Sequence, residues 1–362
     1  MSKTYQYILV VSILLGLTSL YLYIQELYDI LGPILTLFFV SLSIAFRGHQ
    51  TLRGFSFGLL IFAAVTFSMY YPAIFINWGD FQLKSLIVPL LQLIMFGMGT
   101  AMSLKDFAAV TKSPRAVFIG LACQFTMMPL IGFGLANAFS FPPEIAAGII
   151  LIGSSPSGLA SNVMAYIGKA NLALSVTLTA IATLLAPLIT PVLMKLLGDQ
   201  LVPIDVWAMM WGITKIVIIP IIGGLIFNKL LHGKTQWLDK AMPMVSMGGI
   251  VFILMIITAA GRDNLLTMGL LLVLVGFIHN MSGYFLGYWG CRIFKLDEKS
   301  CRTIAFEVGM QNAGLASGIA TEMAKVATLG LAPAIFGPMM NITGSSLATW
   351  WRDRPIESEE EK

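Results

Sequence analysis

Long apolar stretches recur along the chain, each about the length of a membrane-crossing helix and parted from the next by a short polar connection. They fall at about 5–24, 30–46, 55–76, 85–102, 116–137, 146–166, 172–197, 206–228, 243–260, 265–290, 303–324 and 331–350. A helix of roughly 17–25 apolar residues spans the ~30 Å hydrocarbon core, so the pattern predicts an all-α polytopic membrane protein of about 12 helices. The first run follows Lys3 as the apolar region of a signal peptide would. It is too long for that role and no small-residue cleavage site follows, so it reads as an anchor helix.

Two runs are interrupted by polar and helix-breaking residues. The one at 146–166 holds Gly153, Pro156 and Gly158; the one at 303–324 holds Glu307, Gly309, Gln311, Asn312 and Gly314. Proline removes a backbone donor and glycine loosens the chain, which predicts broken helices that expose carbonyls and N–H groups at mid-membrane depth. Such exposure is tolerated only where the backbone lines a cavity or binds a ligand. Free carbonyls attract cations and half-helix N-termini attract anions, so two broken helices crossing at the midplane can hold a cation and an organic anion together. The tetrapeptide Gly158-Leu-Ala-Ser161 returns as Gly314-Leu-Ala-Ser317 an odd number of runs later, hence on a segment crossing in the opposite direction. That predicts inverted five-helix repeats over about 55–197 and 206–350, with residues 1–50 as an extra N-terminal transmembrane hairpin.

Composition and charge sharpen this picture. With 57% hydrophobic and 11% charged residues over 362 positions and a mean hydropathy of +0.85, a water-soluble domain is excluded. If the N-terminus is cytoplasmic, that side receives Lys3, Arg47, Arg53, Lys105, Lys112, Arg115, Lys169, Lys234 and most other basic residues. The opposite side receives Lys84, Lys195, Arg262 and Lys325, while Lys215 stands inside a run. The asymmetry puts both termini in the cytoplasm, with a bacterial inner membrane as the natural setting. The net charge of +4 therefore reports orientation, and no basic soluble face exists for a nucleic acid. Cys123, Cys291 and Cys301 lack disulfide or metal-ligand spacing and read as packing residues. The acidic Glu357–Glu361 stretch of the cytoplasmic tail 351–362 reads as a solvated end.

Glu307 is the leading candidate for function, because an ionisable group inside a span costs roughly 2.5–3.5 kcal/mol on insertion scales. Gln311 lies one helical turn on, on the same face. Other oxygen donors within runs are Gln124, Ser161, Asn162, Ser175 and Thr179. Without a His or Cys cluster, this inventory suits a hard monovalent cation rather than a transition metal. Serine and threonine in membrane helices commonly bond their own backbone, and a lone glutamine commonly bonds a neighbouring helix; both readings stay open for Ser175, Thr179 and Gln124. Two short broken segments do not supply the continuous polar pore of a channel. No His-Glu-x-x-His pair, Asp-rich diphosphate site or Gly-x-Ser-x-Gly elbow is present, so an enzyme is not expected.

Several motifs in order carry a resemblance: Phe96-Gly-Met-Gly99, Leu104-Lys-Asp-Phe107, Ala122-Cys-Gln124 with Met128-Pro129, and Gly158-Leu-Ala-Ser-Asn-Val-Met164 leading to Ala170-Asn-Leu-Ala-Leu-Ser175. His279-Asn280 and Glu307-Val-Gly-Met-Gln-Asn312 complete the set. Together they resemble the bile acid:sodium symporter family, in its prokaryotic branch, over about residues 55–350. The resemblance implies a ten-helix transporter domain made of a panel (about 55–102 and 206–260) and a core (about 116–197 and 265–350). It implies two sodium ions behind the crossing of the broken helices. The first would be held by Ser161, Asn162, Ser175, Thr179 and Glu307; the second by Gln124, Glu307, Gln311 and the main-chain carbonyls of Val308 and Met310. The substrate would lie between core and panel, facing Leu159, Ala160, Asn312 and Asn341.

Two departures bear on cargo. Family members often carry Thr where this chain has Leu159 and His where it has Met340. Two polar contacts thus become apolar, which weakens the case for a small hydroxylated acid such as pantoate and points toward a more apolar anion, a sterol acid included. The function so implied is sodium-coupled symport of an organic anion by alternating access. A proton-coupled or sodium-independent carrier of the same architecture is the alternative, and it would show pH dependence without a sodium requirement. His279-Asn280 reads as a structural pair. For the extra hairpin, a homodimer contact, a shield for the panel and a plain anchor in membrane lipid all fit its composition.

Overall fold

The computed structural model describes residues 2–49, 52–102, 110, 113–231 and 236–354. The Leu104–Phe107 motif, Lys105, Lys112, Lys234 and the Glu357–Glu361 stretch lie outside them. Helices α1 (Lys3–Ile24) and α2 (Tyr28–Arg47) form a hairpin, and α2 packs on α3 (Ser56–Tyr70). The predicted single run at 55–76 is divided, because Pro72 starts a short α4 (Pro72–Ile76) and holds Tyr71 at φ −123°, ψ 56°. A residue before proline is pushed out of the helical region, which ends α3 at Tyr70. A minimal antiparallel ladder follows, β1 (Asn77–Trp78) on β2 (Phe81–Gln82). Its turn needs the left-handed backbone of Gly79, φ +60°.

The remaining unbroken helices are α5 (Ile87–Ala101), α6 (Pro114–Ala138), α9 (Leu172–Gly198), α10 (Val206–Leu230), α11 (Gln236–Ala260), α12 (Arg262–Ile293) and α15 (Leu331–Arg352). The two runs expected to break do so. The first gives α7 (Pro143–Gly153) and α8 (Ala160–Ile167); the second gives α13 (Glu298–Gly309) and α14 (Ala313–Glu322). Among the described residues, eight helices are each long and apolar enough to cross a membrane. Every predicted run corresponds to a helix, a helix pair split by proline, or a broken helix.

Packing sorts these helices into two groups. Helices α3, α5, α10 and α11 lie against one another, and α6 to α9 lie with α12, α13 and α15. Within the first group, α5 and α10 touch backbone to backbone: a Cβ at Gly99 would fall on the carbonyl of Ile221, and one at Gly224 on the carbonyl of Phe96. Within the second, α7 is the central element, and Ile145, Ile149, Ile150, Leu151 and Ile152 are all fully buried. A helix apolar on every face is what such a position requires.

The ends of the broken helices are tied. Lys325, beyond α14, and Thr328 both donate to Glu144 in the first turn of α7. On the other side, buried Arg302 of α13 donates to Glu298 (2.8 Å), to the Trp351 carbonyl (3.0 Å) and to the Gly168 carbonyl that closes α8 (3.4 Å). Lys215, unexplained by the hydropathy pattern, lies in a π-helical turn of α10 at Thr214–Ile218 and pairs with Glu322 of α14 at 3.3 Å. That ion pair ties α10 to α14.

The candidate ion and substrate site

The two breaks meet. Between them Ser157 pairs with Gln311 as an antiparallel bridge, with Gly158 N–H donating to the Met310 carbonyl (2.9 Å) and Asn312 N–H to the Pro156 carbonyl (2.8 Å). Backbone groups freed by the breaks are thus used by each other, as burial demands.

Glu307 ends up beside this bridge, 2% exposed. Its Oε1 accepts from Ser161 (2.6 Å) and Ser175 (2.5 Å), and its Oε2 from Ser157 (2.6 Å) and Thr179 (2.8 Å). A carboxylate has about four lone-pair positions, so these hydroxyls satisfy it fully. Asn162 Oδ1 lies 2.8 Å from the Ser175 hydroxyl and 3.2 Å from that of Thr179, an alternative acceptor for the single proton each carries. The five residues of the first predicted ion site therefore form one cluster, drawn from α8, α9 and α13. Ser175 and Thr179 direct their hydroxyls to Glu307, with Asn162 Oδ1 beside them. Sequence reasoning missed Ser157, which sits in the break just after Pro156; the run Ser154-Ser-Pro-Ser157 was the available signal.

The residues of the second predicted site also gather. Gln124 of α6 donates to the Ser155 carbonyl (2.8 Å) and to Gln311 Oε1 (2.5 Å), and Gln311 Nε2 donates to the Val308 carbonyl (2.6 Å). Gln124 Oε1 is buried and has no hydrogen-bond partner among the described residues. The Met310 carbonyl accepts one bond and keeps a second lone pair. Glu307 makes no direct hydrogen bond to Gln124 or Gln311; the two clusters are joined through the Ser157–Gln311 bridge.

Leu159, Ala160, Asn312 and Asn341 line one cavity of about 130 Å³, together with Met340 and Ser317. The facing wall is apolar: Ile61 of α3, Leu91 and Ile94 of α5, and Ile253 and Leu254 of α11. Asn312 caps α14 through its Oδ1, which accepts from Leu315 N–H (2.9 Å), and Asn341 Nδ2 donates to Gly337 of its own helix (2.9 Å). The cavity lies between the two helix groups and offers a polar end at the crossing and an apolar wall opposite.

Polar groups gathered where two interrupted helices meet, in an all-α polytopic fold, are the architecture of an ion-coupled membrane transporter. Residues 88–268 match the Sodium Bile acid symporter family. The chain is 42% identical over 304 residues to the "uncharacterized sodium-dependent transporter YocS" of Bacillus subtilis (strain 168), covering 84% of this chain and 92% of that protein. It is 32% identical over 262 residues to the "probable sodium/metabolite cotransporter BASS1, chloroplastic" of Arabidopsis thaliana, covering 72% of this chain and 65% of that one. The rice protein of the same name is also 32% identical over 262 residues and is covered to 64%. The chain belongs to the Sodium Bile acid symporter family and is an integral membrane protein of the transporter class.

Proposed function

We propose that this chain is a sodium-coupled symporter of an organic anion that works by alternating access. The observation that carries the reading is Glu307, a buried carboxylate at the crossing with hydroxyls converging on it from the first break, α8 and α9. A hydroxyl can give its proton to Glu307 and still offer a lone pair to a cation, and Asn162 adds a carbonyl oxygen. All of these are hard oxygen ligands of the kind sodium takes. A second ion would use Gln124 Oε1, Gln311 and the Val308 and Met310 carbonyls, which the unpartnered state of Gln124 Oε1 supports. Glu307 would serve both ions, offsetting charge that neutral oxygens cannot.

The anion would enter the cavity at Leu159, Ala160, Asn312 and Asn341, with its carboxylate toward the crossing and its apolar part toward Ile253 and Leu254. The apolar wall, with Leu159 and Met340 in the lining, supports a cargo with an apolar body. The names of the relatives, a sodium-dependent transporter and sodium/metabolite cotransporters, support sodium as the co-transported ion. Helices α6 to α9 and α12 to α15 would act as the core that moves against a panel of α3, α5, α10 and α11. Both termini would face the cytoplasm of a bacterial cell.

The test is the melting temperature of the purified protein in sodium against potassium at equal ionic strength. A ligand that binds only the folded state at about 100 times its Kd adds about 2.7 kcal/mol, a rise on the order of 5 °C. Glu307→Gln is expected to abolish the sodium-specific rise. A parent protein indifferent to saturating sodium would move the function to a proton-coupled carrier.

A further inference from the structure

We infer that Asn280 is a positioning residue that links the ion-binding break of α13 to the substrate-facing turn of α15; the inference rests on the sodium reading above. The last carbonyls of a helix have no partner within it, and a buried one must find a partner elsewhere. The Gly309 carbonyl, next to the Val308 and Met310 carbonyls assigned to the second ion, accepts from Asn280 Nδ2 of α12 at 2.7 Å. The other end of the same amide accepts from the Thr343 hydroxyl of α15. Asn280 is fully buried, so neither bond has a water substitute. Tyr284, a turn further along α12, donates to the Met340 carbonyl (3.2 Å) and its hydroxyl also lies 3.3 Å from Thr343 Oγ1.

Met340 and Asn341 line the cavity, so a single amide spans from the break to the turn that carries them. The contact around it is close. A Cβ on Gly283 would meet the backbone of Gly309, and one on Gly344 would meet Met310 and the Tyr284 hydroxyl. Packed elements of this kind shift together rather than deform separately, so sodium that draws the carbonyls of the break toward itself carries the α15 turn with it. The effect is reciprocal: an anion that fixes the α15 turn strengthens sodium binding by the same factor.

The experiment reads the α15 turn directly and needs no knowledge of the cargo. Asn341→Cys places a thiol in the cavity without touching the link, since Asn341 bonds only Gly337 of its own helix. The native cysteines Cys123, Cys291 and Cys301 are buried and give little background. The rate of labelling by N-ethylmaleimide is measured in sodium and in potassium, with the melting temperature of each sample alongside. Sodium is expected to change the rate by about fivefold or more, the lower end of ordinary coupling between sites. Adding Thr343→Val, which cuts only the α15 side, or Asn280→Ala, which cuts both, is expected to reduce the change to less than about twofold. The sodium-specific rise in melting temperature is expected to remain in Thr343→Val. A sodium response at position 341 that survives both substitutions overturns the inference, as does a parent stabilised by sodium that shows no response there. A parent that sodium does not stabilise overturns the sodium reading and the link with it, and the melting curve reveals this before any label is counted.

Discussion

Ser154 and Ser157 flank the same break, yet only one hydroxyl is engaged. Ser157 donates to Glu307, whereas Ser154 Oγ is buried without a partner among the described residues. A hydrogen bond to a charged group is worth about 1.5–3 kcal/mol, so Ser157→Ala is expected to lower the melting temperature in sodium-free buffer clearly more than Ser154→Ala does. Ser175→Ala removes a hydroxyl that donates to Glu307 and lies beside Asn162 Oδ1. Its apparent sodium affinity, from sodium titrations of uptake or of melting temperature, should fall roughly tenfold before the maximal rate does, the loss expected for about 1.4 kcal/mol. Glu307 and Gln311 were legible in the sequence because a membrane interior leaves no neutral reason for a carboxylate there. Ser157 and Thr343 were not, since small polar residues are common in such helices and their partners lie on helices far along the chain, while Asn280 stood in a motif read only as structural.

Helices reveal a similar division between what pattern shows and what packing adds. Both broken helices were legible, because Pro156 and the Gly309 to Gly314 segment disrupt runs that are otherwise uniform. The contact between them was not, because the bridge pairs backbone groups and leaves no mark in the side chains. The division at Pro72 was masked by the apolar residues on either side of it, and nothing in Thr214-Lys-Ile-Val-Ile218 marks a π turn. Close approach of α5 to α10 yields a sharper expectation. Gly99→Ala forces the two backbones apart, and overpacking of that kind costs about 1–3 kcal/mol, visible as a lowered melting temperature. Gly134→Ala on α6 meets nothing within 4 Å and should leave the melting temperature unchanged or slightly raised.

For the whole molecule, the spacing of apolar runs was enough to anticipate an all-α polytopic membrane protein, since that signal averages over many residues. Stoichiometry is a property at this scale too. If, as proposed, two sodium ions enter with one monovalent anion, net positive charge moves inward, and each charge gains about 2.3 kcal/mol per 100 mV. Uptake by protein in liposomes is therefore expected to accelerate under an interior-negative potential; uptake that ignores voltage would exclude that ratio. The length of α12 has its own consequence. Its 32 residues measure about 48 Å along the axis, against a hydrocarbon core of about 30 Å. Such a helix leans, or leaves its ends among the headgroups, and the thickness of the surrounding lipid sets how far. Because Asn280 rides on it, bilayer thickness becomes an input to transport in its own right, and the same protein should run at different speeds in short-chain and long-chain lipids at identical sodium and cargo.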